Sequence, residues 1–322
     1  MKPSSWKTVP NSFAETVQIV ENYARQEIIQ EARDKQLFYH TLDHSLAVKR
    51  RANTIFEAIE PVLPQSQLTI GLDRLKSLIN MTAMAHDMVQ QFSNSFEASQ
   101  PRERIPGISE AATVDKLIEY IQQLNQGLSS LGVDKSILFN DQDIAIIKDG
   151  ILATVCDRDP QAGKANYSFS NYSIYQPYLY NSQPKISIVG DIIALADLGT
   201  LGMEGVQPFL REGILVFVED NLDLKDFILN CNRLSYDLGD RLTQAKIRSR
   251  LLNMSRFIVS LAQERYARFE LEIAGFPPEA RQILRSQVFI HFNQKNITQI
   301  QKSVPTSEKS SFAELIDFFC LK

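Results

Sequence analysis

Residues 72–92, LDRLKSLINMTAMAHDMVQQF, carry Leu75, Leu78, Ile79, Ala85, Met88, Val89 and Phe92 at helical spacing. That pattern predicts an amphipathic helix with a broad apolar face. His86 and Asp87 lie inside this apolar setting, where burying an ionisable pair costs several kcal/mol unless both are paired or metal-bound. An apolar residue would pack there at lower cost. The alternative is a structural carboxylate beside a satisfied core histidine.

Working outward, the same period recurs along most of the chain. Residues 12–32 start at a plausible Ser12 N-cap and carry Phe13, Val17, Val20, Ala24 and Ile28 on a stripe. Residues 43–60 turn Leu46, Ala47, Ala52, Ile55, Phe56 and Ile59 inward and Lys49, Arg50 and Arg51 outward, and Pro61 and Pro64 end them. Further helices are predicted over 109–124, 141–156, 185–200, 206–220, 222–245 and 247–273. Residues 93–107 read as a polar loop, and 157–184, rich in Tyr, Asn, Ser, Gln and Pro, as a long irregular one of the kind that often serves function. Gly275-Phe276-Pro277-Pro278 is the sharpest break of the second half, followed by a helical tail at 279–302 and an apolar close at Phe312–Leu321. No repeat and no run of alternating strands is evident. The expected fold class is all-α, with one main helical domain at 1–274 and a C-terminal helical appendage at 275–322.

Composition bounds the function. The chain has 322 residues and a formal net charge of −4, so no basic field argues for a nucleic-acid polymer or an anionic membrane surface. No apolar stretch is long enough to span a bilayer, and residues 1–6 lack the apolar region of a secretory signal. The three cysteines (Cys156, Cys231, Cys320) are far apart, which suits reduced thiols in a cytoplasmic protein.

Of the 4 histidines, three fall in two places, Tyr39-His40-Thr41-Leu42-Asp43-His44 and His86-Asp87. His40 and His44, one helical turn apart, share a face, and imidazoles with a nearby carboxylate suit a divalent metal, although the spacing alone also fits a surface pair. The segment Gly190–Gly199 is apolar nearly all round, yet holds Asp191 and Asp197. Asp191, near the helix start, reads as a dipole-favoured anion. Asp197 has no basic neighbour in sequence and needs a partner from elsewhere, which a metal held by His44, His86 and Asp87 would supply.

The ordered set His44, His86-Asp87 and Asp197 resembles the H…HD…D signature of the HD superfamily of metal-dependent phosphohydrolases. Tyr39–His44 resembles the Y-H-x-x-x-H opening of a predicted-phosphohydrolase branch and of cyclic nucleotide phosphodiesterases. Ser109-Glu110-Ala111-Ala112, Ile151-Leu152-Ala153-Thr154 and Ala196–Gly202 resemble further segments of that branch, so the resemblance runs from about residue 12 to 273. It implies an HD-domain-like helical bundle. The implied ligands are His44, His86, Asp87 and Asp197, with Asp87 able to bridge a second ion, and His40 the proton donor to the leaving oxygen. Asp87 and His40 are thus the implied catalytic residues, while Glu110, Glu103, Arg104 and Asp157 would lie outside the ligands or contact substrate.

The chain departs from the pattern in places. Met88-Val89-Gln90-Gln91 replaces the acidic residues found after the HD pair in alarmone hydrolases and deoxynucleotidases, and Cys156, Asp157 and Asp159 stand where the branch often has a histidine. The expectation is therefore one divalent ion rather than two, drawn from Mn, Fe, Mg, Zn or Ni. The expected substrate is a small phosphorylated, nucleotide-like molecule, and a homo-oligomer is compatible with the sequence. The competing reading is a nucleotide- or phosphate-binding regulatory protein without turnover. A di-iron oxygenase would want more histidines. Arg102, Arg104 and Lys164 are candidate phosphate contacts, Tyr167, Tyr172, Tyr175, Tyr178 and Tyr180 are candidates for base stacking or loop packing, and His291 reads as a tail residue.

Overall fold

The structure is a computed structural model that describes residues 9–64, 70–93, 101–158, 174–180, 187–229 and 241–320. It is all-α. The helices run α1 (Phe13–Lys35), α2 (Leu42–Ile59), α3 (Leu72–Ala85), α4 (Ile108–Ser130), α5 (Asp141–Leu152), α6 (Ile188–Asp197), α7 (Thr200–Glu204), α8 (Val206–Asp220), α9 (Lys225–Leu229), α10 (Arg241–Glu272), α11 (Pro278–Ile283), α12 (Gln294–Ser303) and α13 (Phe312–Phe319). Among the described residues the one sheet is a two-residue antiparallel pair, β1 (Asp157–Arg158) with β2 (Ile174–Tyr175). No helix among the described residues is long and apolar enough to cross a membrane.

The principal core forms where α2 lies against α3 and α6, with α1 on α3 and α5 on α6. Val48, Ile55 and Phe56 of α2, Leu78, Met81 and Met84 of α3, and Ile192 and Leu195 of α6 are all fully or almost fully buried. Every residue of α6 from Val189 to Asp197 is buried, as its all-round apolar sequence predicts. Ser12 caps α1 through the Glu15 amide, and Ser187 caps α6 through that of Gly190.

Several predicted boundaries move, each for a local reason. The helix expected over 72–92 stops at Ala85. Beyond it the Val89 amide donates to Thr113 Oγ1 and the Gln91 amide to Ser109 Oγ, so side chains of α4 take the amides that would have continued the helix. α4 itself runs on to Ser130 because Leu124 and Leu128 stay in phase and buried. The segment 185–200 is two helices parted at Leu198–Gly199, and α10 passes through 245–247 without a break. Residues 230–240 of the helix expected over 222–245, and 159–173 and 181–186 of the long loop, lie outside the described residues.

Arg51 corrects the expectation that it points outward. It is 2% exposed, and its guanidinium bonds Glu204, Glu212 and the carbonyls of Ala196 and Asp197. On that side α2 meets α6, α7 and α8, and four acceptors compensate the burial of the charge. Past the break at 275–278, Phe276, Ala280, Leu284, Val288 and Phe289 pack into the principal core. Farther on, Ile297 and Ile300 of α12 and Leu315 and Phe319 of α13 pack in two smaller clusters with residues of α8 and α10.

Candidate metal centre

Three helix ends converge on the histidines. His44 stands in the first turn of α2, His86 follows the last residue of α3, and Asp197 is the last residue of α6. The carboxyl ends of α3 and α6 bring the negative poles of two helix dipoles to one point, an arrangement that favours a cation.

His44, His86, Asp87 and Asp197 each offer a ligand atom, and all four atoms lie within 4.8 Å of one another. His44 Nε2 is 3.2 Å from Asp87 Oδ2 and 3.3 Å from Asp197 Oδ1. His86 Nε2 is 3.0 and 3.6 Å from the same two oxygens. These contacts lack hydrogen-bond geometry: both Nε2 atoms are buried without a hydrogen-bond partner among the described residues. His86 Nδ1 donates to the Ala83 carbonyl at 2.9 Å, which turns its Nε2 into the group. The Tyr39 ring packs on that of His44 at 4.3 Å between centroids. Orphaned imidazole nitrogens beside two carboxylate oxygens are a donor set for a divalent ion of intermediate softness, and the group could hold one.

The remaining carboxylate oxygens are fastened. Asp87 Oδ1 accepts from Gln90 Nε2 and Asp197 Oδ2 from Gln176 Nε2, each at 3.1 Å. Each aspartate therefore presents one oxygen inward while an amide holds the other, the kind of outer contact that sets ligand orientation. Behind Asp197, the hold of Arg51 on the Ala196 and Asp197 carbonyls ties the end of α6 to α2.

The electrostatics agree with a cation site. Burial opposes a charged imidazole, but Asp87 and Asp197 outweigh it and raise His44, and raise His86 well above its ordinary value. Burial also pushes Asp197 up, yet the two imidazoles bring it down to about 2, while Asp87 is held well below the carboxylate range by His86, His40 and His44 against its burial. Two ionised carboxylates thus hold positive charge between them, as protons or as a metal that displaces them.

His40 stands beside this group, its Nε2 3.9 Å from Asp87 Oδ2. Its Nδ1 is 2.6 Å from Oε1 of Glu219, a fully buried residue of α8. Glu219 Oε2 accepts the amides of Phe38, Tyr39 and His40 at 2.8, 2.8 and 3.0 Å. Burial raises Glu219, but His40, Arg104 and these amides outweigh it and hold the carboxyl far below its usual range. Arg104 donates to Glu219, to Asp220 at 3.1 Å and to Gln90 Oε1 at 2.6 Å. A ring of polar contacts therefore runs from Asp87 through Gln90, Arg104, Glu219 and His40 back to Asp87.

Of the other residues singled out by sequence, Glu110 lies within the field of the group. Burial raises its carboxyl and the fields of Asp87 and Asp197 raise it further. Glu103 is exposed and pairs through its backbone with Ser93, and Asp157 accepts the Arg158 amide at 2.6 Å. No described contact brings either to the group. Cys156, next to Asp157, does feel it: burial, then Asp197, Glu110 and Asp87, push its thiol well up. Lys164, Tyr167 and Tyr172 lie outside the described residues. His291 donates its amide to the Gly202 carbonyl at 2.9 Å, away from the other histidines. Sequence reading missed Glu219, Gln90, Gln176 and the inward turn of Arg51. The sole sequence signal for Glu219 is an acidic pair closing the apolar run 214–218, which reads equally well as a helix end.

No protein-family model, no curated protein and no solved structure matches the chain.

Proposed function

We propose that this protein is a metal-dependent phosphohydrolase of the HD type, acting on a small phosphomonoester or phosphodiester of nucleotide-like character in the cytoplasm. The observation that carries the reading is a histidine held beside a His/Asp group that could hold a metal ion. His40 Nε2 stands 3.9 Å from Asp87 Oδ2, and its Nδ1 is fixed by a buried carboxylate.

His44, His86, Asp87 and Asp197 would hold the ion. When bound, a divalent cation there supplies Lewis acidity to a phosphoryl oxygen and makes water acidic near neutral pH. The chain's own part is positioning and proton movement. Glu219 accepts from His40 Nδ1–H and so presents Nε2 toward the group, where it can protonate a leaving oxygen. Arg104 and Gln90 link that carboxylate to Asp87, so donor and ligand keep one geometry. The metal reading is for one ion, of Mn, Fe, Mg, Zn or Ni, because no further imidazole stands by for a second: His40 is held by Glu219, and His291 bonds Gly202 through its amide.

The test is metal analysis of the purified chain together with a panel of phosphomonoesters, phosphodiesters and nucleotides. Bound divalent metal, turnover, and loss of both in His86→Ala and Asp87→Ala are expected. Protein that holds no divalent metal and turns over no phosphoester rejects the reading. Nucleotide binding without product would favour a regulatory role instead.

A further inference from the structure

A second set of buried polar atoms lies on α10, outside the ligand group. Arg265 is 5% exposed, and its Nε and Nη2 have no hydrogen-bond partner among the described residues. Among the described residues its one ionic contact is Nη1 to Glu272 Oε2 at 3.2 Å, without hydrogen-bond geometry, and its Cζ is 5.8 Å from the Phe292 ring centroid. Nε–H and Nη2–H form the side-on edge of a guanidinium, the two parallel donors that match an oxyanion bidentately. Leaving buried charged donors unpaired is costly, because they give up water without gaining an acceptor. A purely structural arginine would be expected to turn that edge to Glu272.

Position connects this edge to the ligand group. Glu272 Oε1 accepts from the Tyr180 hydroxyl at 2.6 Å. Tyr180 belongs to the same short segment as Gln176, which bonds Asp197 and whose own Oε1 is buried without a partner among the described residues. The Arg265 charge also acts on the Cys156 thiol, which the ligand carboxylates act on as well.

We propose that Arg265 is the docking point for a second anionic group, a phosphate or a carboxylate, of the molecule whose ester phosphate lies at His44, His86, Asp87 and Asp197. The placement of that ester rests on the phosphohydrolase reading; oxyanion binding at Arg265 does not. Gln176, which bonds Asp197 and shares its short segment with Tyr180, would meet a hydrogen-bond donor of the same molecule through its Oε1. The selected substrate class is small molecules with two separated negative groups.

The experiment is thermal unfolding of the full chain, as purified, in 50 mM sodium sulfate, in 50 mM sodium malonate, and in chloride of equal ionic strength. The wild type is compared with Glu272→Gln and with the double variant Arg265→Met/Glu272→Gln, which keeps the apolar stem and the charge balance. Sulfate stabilises any protein somewhat by exclusion from its surface, so the difference between chains is the readout. An oxyanion bound with a millimolar constant should raise the wild-type Tm by about 3 °C more than that of the double variant. Glu272→Gln should keep that response. A sulfate-specific difference assigns a phosphate and a malonate-specific one a carboxylate. Equal responses of all three chains overturn the proposal, as does loss of the response in Glu272→Gln alone. If the wild type shows the response but neither metal nor turnover, the phosphohydrolase reading fails and the anion site stands.

Discussion

Glu219 Oε1 lies 2.6 Å from His40 Nδ1 while its Oε2 takes the amides of residues 38–40, so one carboxylate orients both the imidazole and the backbone that bears it. The carboxylate must be ionised to accept all of these. Its folded pKa is depressed, so its stabilisation is present above the unfolded value of about 4.3 and is lost as pH falls toward the folded value. Glu219→Gln should therefore cost about 3 kcal/mol at pH 7, with the gap to wild type closing below about pH 4. Denaturant unfolding of both proteins between pH 3 and 7 checks this. A gap that is absent at pH 7, or grows on acidification, contradicts it.

The two glutamines give a separate expectation. Gln90 and Gln176 hold the outward oxygens of Asp87 and Asp197 without offering ligands to the group themselves. Replacing either with Ala frees a carboxylate to rotate, and outer contacts of this type are worth about 10–100-fold in metal affinity. Calorimetric titration with Mn or Zn should show that loss for each variant. Unchanged affinity in both would mean that backbone packing alone sets the carboxylates.

The fold class was legible because helical periodicity is a local property, and so was the set His44, His86, Asp87 and Asp197 that the fold brings together, because rare residue types stood out against an apolar background. What escaped the sequence was non-local. Glu219 lies 179 residues from His40, and nothing in its own neighbourhood marks its helix face as buried. Gln90 read as a missing acidic residue, whereas it serves as the amide that holds Asp87. Arg51 follows two other basic residues, a pattern that normally denotes a solvated face, and only the covering helices turn it inward. The end of α3 at Ala85 likewise depends on Thr113 and Ser109 from another helix.

Arg51 supplies four contacts across α2, α6, α7 and α8, and they are not interchangeable with those of a point charge. Arg51→Met should destabilise by about 2–3 kcal/mol, since it leaves the α6 carbonyls unsatisfied. Arg51→Lys should recover less than half of that, because one ammonium cannot span two glutamates and two carbonyls. Urea midpoints of the three proteins decide it. Full rescue by lysine would show that only the charge matters.

Gly202 closes the segment that begins at Ala196, and packing explains why that position is glycine. A Cβ there would stand 2.5 Å from Phe289 Cδ1 and 2.8 Å from Phe292 Cε2. Neither ring can readily yield, since both pack against Phe269 with centroids 4.9 Å away, and the Gly202 carbonyl also accepts the His291 amide. Gly202→Ala gains up to about 1 kcal/mol of helix propensity. Overpacking of a rigid aromatic cluster costs about 1–3 kcal/mol, so the net effect should be a loss of stability. Adding Phe292→Leu should relieve part of the clash, so the double variant should be more stable than the sum of the two single changes. A double-mutant cycle of unfolding free energies measures this coupling. Strict additivity would place the strain elsewhere than against these rings.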